Sequence, residues 1–183
     1  MTQVPDVLKG LLADKKAIIV SKWFHNLCQE YPDKTVKHLK SGKSQFANPV
    51  GHNLRQGLDG IFDQVLEDVD SENFRLNLDR ILRIKAVQDF SPSQAIAFIF
   101  ILKKLIREEL QGQLDGEVLY KELAVIEQRI DNIALVAFEI YLQCKETIYQ
   151  LRIDEVKRKC AILERINMLN QGPAAIEYEG STQ

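Results

Sequence analysis

The sequence has almost no strand signal. Runs of β-branched and aromatic residues alternating with polar ones, bounded by turn residues, do not occur, which excludes sheet architectures and leaves an all-α protein. Long apolar runs are also missing: the longest, Ala95 to Leu102, falls far short of the roughly 20 residues a membrane span needs. The amino terminus, MTQVPDVLKGLLADKK, lacks a basic start followed by a long apolar stretch, so no secretory leader is expected and the location is expected to be cytoplasmic. No strong charge bias exists either. Lys and Arg number 24 against 26 Asp and Glu, and a net charge of −2 gives no electrostatic reason to bind nucleic acid.

Cysteine and histidine are scarce, three of each. Cys28, Cys144 and Cys160 form no CxxC pair and no Cys/His metal spacing. On one straight helix, Cys144 and Cys160 would stand roughly 24 Å apart, too far to bridge within the chain. Free structural thiols are expected, with a Cys160–Cys160 bond across a parallel dimer as a secondary reading. His25, His38 and His52 give no HExxH and no i,i+4 pair, so no zinc site is expected. GxSxG, GxxxxGK[ST] and GxGxxG are absent, and no nucleophile stands with a paired acid and base. The expectation is no enzyme, no metal and no cofactor. An alternative is a haem- or small-ligand-binding protein with His25 or His52 on the iron. A small-molecule enzyme built around His52 and Asp89 ranks last.

What the chain does have is helical spacing throughout. Apolar positions predict a first helix over about 5–30, carrying Leu8, Leu12, Ile19, Trp23 and Leu27, and a short second one over 33–39. Asn48-Pro49 opens a third, with Asn48 as N-cap and Pro49 at the first helical position, running to about Val69. Gly51, Gly57 and Gly60 in its interior cost roughly 1 kcal/mol each against alanine, which implies close helix packing or a nearby ligand. Ser71 caps a fourth over about 72–88. Ser91-Pro92-Ser93-Gln94 is a capping box opening a fifth, whose apolar residues lie on every side and predict the most buried helix.

From Asp115 to Asn170 there is no proline, and the one glycine is Gly116. A helix of roughly 55 residues spans on the order of 80 Å, twice the roughly 40 Å width of a 150-residue globule, so its last third should project. Leu123, Ile126, Ile130, Ile133, Ala137, Ile140 and Cys144 face the body. Farther along, Tyr149, Ile153, Val156, Cys160, Leu163 and Ile166 form a narrower stripe flanked by charges, the pattern of a coiled-coil seam. This divides the chain into a helical sensor domain at 1–150, a projecting signalling helix at 151–170 and a disordered tail at 171–183. The seam needs a partner, and a homodimer is expected. Two helix junctions keep polar groups beside apolar ones, and helix N-termini attract anions. Asn48, His52, Arg55, Gln88 and Asp89 are the candidate ligand residues.

FANPVGH at 46–52, AVQDFSPSQAI at 86–96, and ELAVIEQRID followed by ALVAFEIY at 122–141 resemble the amino-terminal domain of the RsbT co-antagonist proteins, the RsbRD-type sensor domain. The similarity runs over about residues 8–165 and rests on structural junctions. It implies a globin-like, dimeric, non-haem sensor related to the bacterial stressosome, whose last helix leads to an output domain. No STAS or kinase module follows Asn170 here, so the output is expected on a separate protein: a kinase, a STAS-type protein or another regulator. The resemblance carries over no catalytic or ligand residue.

Overall fold

The computed structural model describes residues 6–40, 46, 48–67, 72–113 and 117–170. Among them are six helices and no strand: α1 (Asp6–Gln29), α2 (Asp33–Lys40), α3 (Pro49–Glu67), α4 (Glu72–Val87), α5 (Pro92–Glu109) and α6 (Glu117–Asn170). The protein is all-α, as expected, with a long C-terminal helix. The Ser41–Ser44 loop, the Ser71 cap, the side chain of His38 and the tail at 171–183 lie outside the described residues.

Local chemistry sets the helix starts. At α3 the Gly51 N–H donates to Asn48 Oδ1 at 2.8 Å, satisfying one of the first-turn amides that no helix can pair internally. Asn48 Nδ2 donates to the Leu39 carbonyl at 2.8 Å, so the same side chain ties the end of α2 to the start of α3. The box at α5 is complete: the Gln94 N–H donates to Ser91 Oγ, and the Ser91 N–H to Gln94 Oε1 at 3.0 Å. α5 ends at Leu110, and Gly112 follows in the left-handed region at φ +80°, where a glycine avoids the Cβ penalty.

The α3 glycines are explained by packing. A Cβ on Gly57 would meet Ile81 Cγ1 at 2.9 Å and the Asn77 carbonyl at 3.0 Å, so α3 and α4 approach closely there. A Cβ on Gly51 would come within 2.5 Å of the Leu39 carbonyl. The core between α1, α3, α4 and α5 holds Leu12, Ile19, Trp23, Leu58, Ile61, Phe62, Leu78, Ile81, Phe98 and Leu102, all essentially buried. Trp23 stacks on Phe98 with ring centroids 5.9 Å apart and donates its indole N–H to the Phe98 carbonyl at 2.6 Å, which joins α1 to α5.

One expectation is corrected. α5 is not buried all round: Ala97 is exposed and Phe100 is 49% exposed, so one edge is open although its sequence is apolar there. Apolar composition marks which positions can be buried; which of them are buried depends on the neighbours that arrive.

The chain divides into two units, Met1–Lys145 and Glu146–Gln183. Within the first, α6 lays Leu123, Ile126, Ile130, Ile133, Ala137 and Ile140 inward, the stripe expected from spacing. Arg129 is buried and donates to the Val65 carbonyl at 3.2 Å, satisfying the C-terminal end of α3. Lys103–Asp131 at 2.6 Å and the Arg107–Glu127 fork pin α5 to α6. In the second unit every residue from 151 to 170 is exposed.

Candidate functional site

The structure sets the five candidate ligand residues in three places. His52 and Arg55 lie one turn apart on α3 and line a cleft of about 360 Å³ against Ala17, Val20, Ser21 and Phe24 of α1. The Arg55 guanidinium stacks over the Phe24 ring, 4.0 Å from its centroid. Asn48 is 2% exposed and does not line that cleft; its amide is engaged with Gly51 and Leu39 as described. Gln88 and Asp89 lie elsewhere, at the α4–α5 turn, and both are exposed.

That turn is built around a strained residue. Asp89 has φ +56°, a left-handed conformation that Asp tolerates better than most residues. Its carboxylate accepts from Lys145 Nζ at 2.8 Å, and the next carbonyl, of Phe90, accepts the Tyr141 hydroxyl. Both partners sit on the first-unit part of α6.

Behind the corner lies a polar group that spacing did not single out. Lys85 is wholly buried. Its ammonium donates to Glu30 and, at 3.3 Å, to the Gln94 carbonyl, and stands 4.6 Å from the centroid of the Phe90 ring. Burial pushes its pKa below the ordinary lysine value, with Glu30 opposing that shift. Tyr31 packs edge-on against the other side of this cluster, 5.5 Å from Phe90, and burial drives its hydroxyl pKa upward. A lysine at an apolar heptad position of α4 reads from sequence as a solvated charge. Its partner is 55 residues away, so no local pattern could reveal it.

Of the other candidates, His25 is exposed with its ring Nδ1 at 2.9 Å from Lys40 Nζ. Cys28 is buried, Cys144 half-buried and Cys160 exposed. Among the described residues no group of three or more His, Cys, Asp or Glu stands close enough to hold a metal ion, and no helix is long and apolar enough to cross a membrane.

The expected seam residues Tyr149, Ile153, Val156, Cys160, Leu163 and Ile166 are all exposed. The structure adds two that spacing had not assigned: Leu135 and Leu142, which face away from the first-unit core. Leu135, Leu142, Tyr149, Val156 and Leu163 recur every seven residues, each 41–67% exposed. Lys159 and Glu155 pair at 2.7 Å on the flank of this row.

Residues 18–156 match the family described as the RsbT co-antagonist protein rsbRD N-terminal domain. A protein of Archaeoglobus fulgidus, described as "Uncharacterized protein", is 23% identical over 156 residues, covering 84% of this chain and 91% of that one. No solved structure gives a significant match. With three quarters of its length inside the matched span and the helical order that the junction motifs imply, the chain belongs to the RsbT co-antagonist rsbRD N-terminal domain family, a stressosome-related signalling family.

Proposed function

We propose that this chain is a non-enzymatic sensory domain that acts as a homodimer and passes an input on its helical body to a separate output protein through α6. The output protein is a kinase, a STAS-type protein or another regulator. In this reading residues 1–150 sense, 151–170 signal, and 171–183 form a tail beyond the described residues. The body is read as globin-like because the family resemblance implies it.

The observation that carries the proposal is the exposed row at seven-residue spacing. Seven residues turn an α-helix by about 20° less than two full turns, so such a row drifts by about 80° over four heptads. It faces a single partner only when two helices supercoil left-handed around each other. A solitary solvated helix has no use for five large apolar residues kept in that register. The Asp89–Lys145 and Tyr141–Phe90 contacts give the body a grip on α6 beside this row. An input that alters the α4–α5 corner would bias one helix packing over another.

Cys160 supplies the test. In a parallel, in-register pair its two copies face each other at a separation within disulfide reach, about 4–7 Å between Cα atoms. Mild copper-catalysed air oxidation of the full chain should give a covalent dimer on non-reducing gels, unchanged in a Cys28→Ser/Cys144→Ser variant and lost in Cys160→Ser. A dimer band that survives Cys160→Ser, or no band in wild type, contradicts the parallel arrangement.

A further inference from the structure

The cleft between α1 and α3 has chemistry that the α6 seam does not use. Its floor, on the α1 side, is mostly apolar: Ala17, Val20 and Phe24, with Ser21 among them. Its α3 wall carries His52 and Arg55, three residues apart and therefore on one helix face. The guanidinium carbon of Arg55, an exposed residue, lies over the Phe24 ring, 4.0 Å from its centroid. That leaves the N–H edge, and among the described residues no carboxylate pairs with it. Asp59, the acid one turn farther on, is held by Lys16 at 3.0 Å, and Lys16 also binds Asp63 at 2.7 Å. The His52 ring likewise has no hydrogen bond among the described residues.

A guanidinium set over an aromatic ring, with no carboxylate partner among the described residues, offers paired N–H donors to a planar, two-oxygen anion. An apolar floor beside it rewards a ligand with a hydrocarbon body. The geometry points to a small organic carboxylate as the ligand of this cleft: its carboxylate on Arg55 with His52 alongside, its apolar body over Ala17 and Val20. A phosphate dianion fits less well. It would bring no group for the floor. The volume of about 360 Å³ suits a ligand the size of one aromatic ring with short substituents. The cleft belongs to α1 and α3 and the seam to α6, so this inference stands or falls separately from the dimer.

The experiment is an NMR titration of the full-length chain with benzoate, followed at the Arg55 side-chain Nε–H and the Ala17 methyl. Acetate serves as the probe without an apolar body and benzyl alcohol as the probe without a charge. Benzoate should give saturable shifts at both positions, with acetate and benzyl alcohol each weaker by about tenfold or more, and Arg55→Gln should weaken benzoate by a similar factor. If benzyl alcohol matches benzoate, the charge is not read; if acetate matches it, the floor is not used; either result overturns the assignment. So does an unsaturating benzoate titration, or full affinity in a folded Arg55→Gln. Should Arg55→Gln lose its folded spectrum, Ala17→Phe decides, because it fills the floor at an exposed position: binding retained there overturns the site.

Discussion

Lys85 is completely buried, and its ammonium is held by the carboxylate of Glu30, the residue just past the C-terminal end of α1. The pair joins α1 to α4 directly behind the corner that grips α6. Removing one member of a buried pair costs more than the pair contributes, because the remaining charge is left without compensation. Glu30 keeps about a quarter of its side chain in solvent, so Glu30→Gln should cost about 2–4 kcal/mol, somewhat below the fully buried case. Lys85→Met should cost less, about 1–2 kcal/mol, because the stranded Glu30 can turn to water. Urea unfolding of both variants checks the order.

The same pair predicts a pH dependence. The folded pKa of Lys85 is below its ordinary value, so between the two the unfolded chain binds more protons. The contribution of this group to stability therefore rises with pH across that alkaline window and levels off above the ordinary lysine value. A neutral amine needs no carboxylate, so the Glu30→Gln penalty should be largest near neutrality and shrink as the solution becomes alkaline. A penalty that grows with alkalinity would show that Lys85 is charged through a different partner.

The glycines of α3 predict a graded series. Gly51→Ala drives a Cβ against the Leu39 carbonyl and the Asn48 amide. It should cost about 2–4 kcal/mol, overpacking plus the loss of a cap. Gly60→Ala meets only the end of the Asn77 side chain, which can swing away, and gains up to about 1 kcal/mol of helix propensity; near-neutrality is expected. Gly10→Ala has open space and should stabilise by about 0.5–1 kcal/mol. Thermal melts of the three place them in this order.

Ser91→Ala removes the hydroxyl that accepts the Gln94 N–H at the start of α5. The cost should be about 1 kcal/mol. Ser93→Ala at the neighbouring exposed position should cost less than half of that, and paired denaturation curves distinguish them.

How far the sequence led differs from element to element. The Asn48 and Ser91 starts were legible because a cap is a local bargain between a side chain and amides two or three residues away. The inward stripe of α6 was legible for the same reason, since helical period is a short-range property. The open Phe100 edge of α5 and the outward turn of Leu135 and Leu142 were not: both depend on which helix arrives from elsewhere in the chain. For the candidate ligand groups, the sequence named His52 and Arg55 without pairing them; the structure lines one cleft with both. That Gln88 and Asp89 belong to a second helix junction was legible; that Lys85 lies under it with Glu30 is a tertiary fact with no signature in spacing.

The central claim is that the seven-residue row on α6 pairs two copies of the chain, and sedimentation equilibrium measures it directly. Wild type should be dimeric at micromolar concentration. A Val156→Glu/Leu163→Glu variant should sediment as a monomer with its helical circular dichroism nearly intact, since both positions are exposed within one chain. A wild type that stays monomeric at tens of micromolar, or a variant that dimerises as tightly as wild type, would contradict the account.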